Sequence, residues 1–116
     1  MLKKENRLTS NFEFNVARKY GTHIEGDLSH VYFVTPKNYE GPTKVGIVVS
    51  NKLHKSAVVR NRIKRLYRES VKSSFDKINQ GSLWVAIHPK FSSLEKTYEE
   101  INADFNKILQ KASFSN

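Results

Sequence analysis

Cysteine is absent from this 116-residue chain. That excludes a disulfide framework, a thiolate metal site and a cysteine nucleophile, and it suits a reducing compartment. Proline (3) and glycine (5) are sparse, too few for a linker-rich or low-complexity protein. No apolar run approaches the roughly 18 residues of a membrane span. The N-terminus, Met1-Leu-Lys-Lys-Glu-Asn-Arg7, has no apolar stretch behind its charges, so no signal peptide is expected. Acids are also in deficit, with 11 Asp and Glu against 20 Lys and Arg. A hydrophobic content of 38% is nonetheless that of a folded chain. The expectation is one cytoplasmic domain spanning 1–116.

The net charge of +9 is local. Residues 51–72 hold Lys52, Lys55, Arg60, Arg62, Lys64, Arg65, Arg68 and Lys72 against Glu69 alone, eight minus one, or +7. A block of this kind implies a polyanionic partner.

Along the chain, residues 1–8 read as an extended basic arm. Ser10 and Glu13 form a capping box that opens a helix, and Gly21 is a left-handed stop for it. Phe12, Val16 and Tyr20 share one face of this helix, while Phe14 and Ala17 point elsewhere. Residues 29–35 and 44–50 are strand-like and read as an antiparallel hairpin around a turn at 36–42, the second strand being buried on both faces. Residues 22–28 have room for a short extra strand. Ala57 to about Ser74 is helical with Ser56 as cap. Leu83–His88 is a further strand, stopped by Pro89. Ser92 and Glu95 form a second capping box, and Leu94, Tyr98, Ile101, Phe105, Ile108 and Ala112 then follow an amphipathic helical period. The sum is an α+β domain with one sheet.

On the 57–74 helix, Val59, Leu66, Tyr67, Ser70, Val71 and Ser74 lie within about 80° of Ile63 and make a core stripe. Asn61, Lys64, Arg65, Arg68 and Lys72 form a continuous cationic face, with Arg60 on its edge. Arg62 lies on the opposite flank beside Glu69, which is also four residues from Arg65 and partly neutralises it. Crowded like charges destabilise an isolated helix, and phosphates relieve that repulsion. Arginine grips phosphate bidentately and stacks on bases, which favours RNA. A membrane-surface helix needs apolar residues free opposite the charge, and here they are committed to a core.

Nothing points to protein-based catalysis. There is no glycine-rich phosphate loop. His23, His30, His54 and His88 lack metal-ligand spacing. Glu95 with Glu99, and Glu100 with Asp104, share faces opposite an apolar stripe, as solvated carboxylates do. No catalytic or metal-ligating residue is assigned.

The run Ala57-Val-Val-Arg60-Asn61-Arg62-Ile-Lys64-Arg65-Leu-Tyr-Arg68-Glu69, after a glycine-containing strand ending in Val49-Ser50, resembles the signature of the bacterial ribonuclease P protein component. Asn6-Arg7-Leu8 and the Phe14-to-Gly21 helix also sit where that family has them. The resemblance implies a four-stranded sheet packed with three helices. This is the fold of ribosomal protein S5 domain 2, with a left-handed βαβ crossover. It implies a protein subunit that binds a catalytic RNA and the 5′ leader of precursor tRNA, with magnesium ions held by RNA and substrate and no cofactor intrinsic to the protein. Arg60, Asn61, Arg62, Lys64, Arg65 and Arg68 carry over as RNA contacts, with Lys52 in the loop before them. Lys55 and Lys72 extend that surface. Phe14 and Tyr32 carry over to a leader cleft between the first helix and the sheet. Arg18 stands there at an often aromatic position, where a charged contact would replace stacking. Asn51 replaces a usual lysine, and His54 stands where glycine is frequent. The competing readings are a non-catalytic ribosomal or RNA-chaperone protein and a stand-alone nuclease, the latter requiring acids or histidines in a cluster.

Overall fold

The computed structural model describes residues 2–112. The elements are α1 (Asn11–Tyr20), β1 (Thr22–Glu25), β2 (Ser29–Val34), β3 (Lys44–Ile47), α2 (Ala57–Ile78), β4 (Trp84–Pro89) and α3 (Tyr98–Lys111). The sheet order is β1-β2-β4-β3. β2 is antiparallel to β1 and β4, and β3 is parallel to β4.

Three layers result. On one face, Val31, Phe33, Val45, Val85 and Ile87 of the sheet pack against Ile63, Tyr67 and Val71 of α2 and Ile101, Phe105 and Ile108 of α3. On the other, α1 lays Ala17 and Phe14 over Val34, Trp84 and Ala86. Polar ties lock the layers. The serines of the α2 stripe face asparagines of α3, Ser70 Oγ donating to Asn102 Oδ1 at 2.8 Å and Ser74 Oγ to Asn106 Oδ1 at 3.2 Å. Asp104 accepts the backbone N–H groups of Asp27 and Leu28 at 2.9 and 3.1 Å, fixing α3 to the β1–β2 turn. Tyr67 is fully buried and donates to Leu28 O at 3.2 Å. Burial pushes its hydroxyl pKa up to about 12.

The Ser10–Glu13 box, the Ser56 cap and the extra strand are present. Several expectations are corrected. β2 and β3 do not form a hairpin, because β4 lies between them. β4 is buried along nearly its whole length, and the centre of the sheet is where both faces of a strand are covered. A parallel β3–β4 pair requires a long crossover, and the 22-residue α2 supplies it. As an edge strand, β3 buries Val45 and Gly46 but leaves Lys44 and Ile47 half-buried.

α1 buries its Phe14–Ala17 side, with Val16 half-buried beside it. Phe12 and Tyr20 are 71% and 69% exposed and Ala17 is fully buried. The sheet surface beneath carries Gly46 and Ala86, so the helix approaches closely on a small residue. Gly21 ends α1 with φ −81°, ψ 164°, which is extended and not left-handed. Its need for glycine is steric, since a Cβ would sit 2.3 Å from Ala17 O and 2.9 Å from Phe33 O.

The Ser92–Glu95 box does not form either. Residues Phe91–Ser93 are a 3-10 turn, and Thr97 and Glu100 cap α3 reciprocally. Ser92 and Ser93 instead donate to Asp27 O and Lys90 O, both at 2.7 Å. α2 runs one turn past Ser74, to Ile78. The N-terminal arm is tied down rather than extended. It makes a 3-10 turn at Lys4–Asn6, Asn6 donates to Thr43 O at 2.8 Å, and Leu8 N–H donates to Val45 O at 3.0 Å along the β3 edge.

Candidate nucleic-acid interface

The cations of the basic run on α2 differ in what they touch. Arg60 donates to His54 O and Lys55 O, both at 2.8 Å. His54 Nδ1 accepts from Ser56 N–H at 3.0 Å. The loop carrying Lys52 and Lys55 is thereby closed onto the first turn of the helix, and both lysines remain exposed. Arg62 points to the other flank and donates to Leu94 O and Lys96 O, each at 3.0 Å. Its guanidinium is a staple between α2 and the entry to α3.

Asn61, Arg65, Arg68 and Lys72 are exposed, and none has a side-chain partner among the described residues. Glu69 makes no ion pair there, so the expected partial neutralisation of Arg65 does not occur. Lys64 and Arg68 instead face a cavity of about 280 Å³ whose walls include Arg7, Leu8, Phe14 and Gly46. Phe14 lies across the β3 backbone, because Gly46 has no side chain to hold it off. Aliphatic and aromatic walls with three cations at the rim suit a phosphate together with an apolar or stacked group. Glu13 at the start of α1 is not a free anion beside this site. Burial pushes its carboxyl up, but the 2.9 Å bond from Lys44 and those from Ser10 and Thr9 outweigh that and hold it below its ordinary value.

Tyr32 and Arg18 do not line this cavity. They belong to a second patch on the same sheet face, beyond Ala86. Tyr32 stacks on His23 with ring centroids 4.7 Å apart and planes at 16°, and meets His88 edge-on at 5.4 Å and 85°. His23 Nε2 and His30 Nδ1 share a 2.9 Å hydrogen bond. Burial, followed by the positive charge of Arg18, pushes the His88 imidazole pKa down to about 4. Burial, then Lys90, lowers that of His30. In the sequence the histidines stand apart, with no spacing that joins them. The signal that unites them is cross-strand register, His23 opposite Tyr32 and His30 opposite His88, which requires the sheet order. Nothing local to Arg7 marks it as a cavity residue, for a similar reason.

The family model described as Ribonuclease P matches residues 2–113. The chain belongs to the ribonuclease P protein family. The Clostridium botulinum ribonuclease P protein component is 33% identical over 113 residues, covering 97% of this chain and 99% of that one. The Clostridium kluyveri ribonuclease P protein component is 37% identical over 108 residues, covering 91% and 93%. The solved Staphylococcus aureus ribonuclease P protein superposes with a TM-score of 0.82 at 27% identity, covering 97% of this chain and 100% of that one. The Thermotoga maritima ribonuclease P protein shares the fold, with a TM-score of 0.75 at 23% identity and coverage of 90% and 96%. The expected α+β architecture of three helices and a four-stranded sheet is that of the ribonuclease P proteins. No helix among the described residues is long and apolar enough to cross a membrane.

Proposed function

We propose that this chain binds the catalytic RNA of ribonuclease P and the 5′ leader of precursor tRNA in the cytoplasm, and that the RNA performs the cleavage. The observation that carries the reading is the cavity in which Lys64 and Arg68 of the basic helix meet Phe14 of α1. Phosphate-binding cations and an aromatic ring there share one surface, as single-stranded RNA requires. Lys52, Lys55, Asn61, Arg65 and Lys72 supply the wider RNA contacts. Arg60 holds their loop in place, and Phe14, Arg18 and Tyr32 serve the leader.

The magnesium ions belong to RNA and substrate in this reading. Magnesium takes oxygen donors in octahedral array, and the carboxylates here do not fit it. Glu13 is paired with Lys44, Asp104 accepts two backbone N–H groups, and Glu100 caps α3. Among the described residues no three His, Asp or Glu converge to hold a metal. The protein's part is to bind, orient and screen charge.

The test is to mix the protein with a bacterial catalytic RNA at low magnesium and measure 5′ leader removal from precursor tRNA. Stimulation over RNA alone is expected. Binding without stimulation would point to a non-catalytic RNA-binding protein, and cleavage by the protein without RNA would revive a protein nuclease.

A further inference from the structure

The face of the sheet that carries Tyr32 offers the tyrosine ring to solvent only in part. β1 and β4 flank β2 on opposite sides. His23 from β1 therefore stacks on Tyr32 from one side, and His88 from β4 meets it edge-on from the other. Tyr32 is half-buried between them, while His23 is exposed. The ring that ends the stack is His23. Its orientation is fixed twice, by the parallel contact with Tyr32 at 4.7 Å and by the 2.9 Å hydrogen bond to His30 Nδ1. A ring held in this way loses little rotamer freedom when a second ring stacks on it.

We propose that His23 is the base-stacking ring of this surface, taking one unstacked nucleobase of single-stranded RNA on the face it turns away from Tyr32. The inference rests on the leader-binding reading above and deepens it. Tyr32 becomes the second layer of the stack, and His30 the residue that positions His23. Histidine is among the rings on which unpaired RNA bases stack. Arg18, whose charge acts on His88, supplies a cation beside the patch for the adjoining phosphate. Two imidazole nitrogens 2.9 Å apart could also begin a transition-metal site, but no third ligand joins them among the described residues.

The experiment is a double-mutant cycle in the reconstituted holoenzyme, with precursor tRNAs carrying one abasic nucleotide at each leader position in turn. His23→Ala is expected to weaken precursor tRNA binding about fivefold or more and to leave mature tRNA binding unchanged. At one leader position, removing the base should cost the wild-type complex a similar factor and cost the His23→Ala complex nothing further. His23→Phe should keep both the affinity and the coupling, which separates loss of a ring from disturbance of the sheet. Independent losses at every position, or coupling to Tyr32→Leu with none to His23→Ala, would overturn the assignment and leave the leader reading standing. Equal binding of precursor and mature tRNA by the wild type would overturn the leader reading. In that case, the affinity of the free protein for a short single-stranded RNA still decides His23: a loss in His23→Ala that His23→Phe restores supports the stacking ring, and no loss rejects it.

Discussion

Phe14 and Gly46 occupy each other's space: a Cβ on Gly46 would lie 2.4 Å from the Phe14 ring and 2.5 Å from Leu8 O. The missing side chain on an edge strand lets α1, the N-terminal segment and β3 meet, and that junction walls the cavity facing Lys64 and Arg68. Glycine here serves close approach, not an unusual backbone angle.

Gly46→Ala should therefore cost stability by overpacking, about 1–3 kcal/mol, read as a lower urea midpoint. It should also weaken RNA binding by shifting Phe14. Adding Phe14→Ala should recover only part of the stability, since Leu8 O is backbone and cannot rotate away. Full recovery would mean that the ring alone meets the new methyl.

Arg62 and Arg68 look equivalent in the basic run, but their side chains do different things. Arg62→Ala removes two hydrogen bonds to carbonyls at the α2–α3 junction and should destabilise the protein by about 1.5–3 kcal/mol. The salt dependence of RNA binding should hardly change. Arg68→Ala should leave the melting temperature nearly unaltered, while the magnitude of the log–log salt slope falls by up to about 0.7–0.9. Denaturation curves and binding titrations at several salt concentrations check both. A reduced salt slope for Arg62→Ala would place that side chain on RNA.

Local signals were legible in the sequence. The Ser10–Glu13 box, the Ser56 cap and the Ile63 stripe each depend on residues within a few turns of one another, and each is realised. What was not legible depends on distant partners. Nothing within residues 29–50 says that β4 will come between β2 and β3. The buried face of α1 is set where Gly46 and Ala86 let Phe14 and Ala17 approach the sheet, while Phe12 and Tyr20 stay exposed. Arg62 differs from Arg68 only because Leu94 O and Lys96 O, 32 and 34 positions away, accept from it. The basic block pointed to a polyanionic partner, and the local packing separates the arginines tied to backbone carbonyls, Arg60 and Arg62, from the exposed Arg65, Arg68 and Lys72.

His88 gives the fold an acid sensitivity. Its folded pKa is pushed from 6.5 down to about 4, and its Nε2 is buried without a hydrogen-bond partner among the described residues. Between those values the unfolded chain takes a proton that the folded chain refuses, so the unfolded state binds more protons and stability falls as pH falls. The contribution is fully present above pH 6.5 and declines towards pH 4. His88→Phe should flatten the dependence of melting temperature on pH across this window. An unchanged slope would mean that other groups, His30 among them, carry it.

The last prediction concerns chemistry. If the RNA subunit supplies the reacting groups, no side chain of this protein is essential to bond cleavage. His23, His30, His54 and His88 are the only residues whose unperturbed pKa lies near neutrality, and no three of them, with or without carboxylates, converge on a metal among the described residues. Catalytic acids and bases removed from protein enzymes typically cost factors of 100–10,000. Here, each histidine and each carboxylate replaced singly should leave the maximal single-turnover cleavage rate of the reconstituted enzyme nearly intact at high magnesium. Losses should appear instead in precursor tRNA affinity at low magnesium, where the protein's contacts are least replaceable by ions. Rates measured with enzyme in excess over substrate separate the two effects. One folded variant that loses several orders of magnitude in the saturated rate would place a catalytic group on the protein and overturn the assignment of cleavage to RNA.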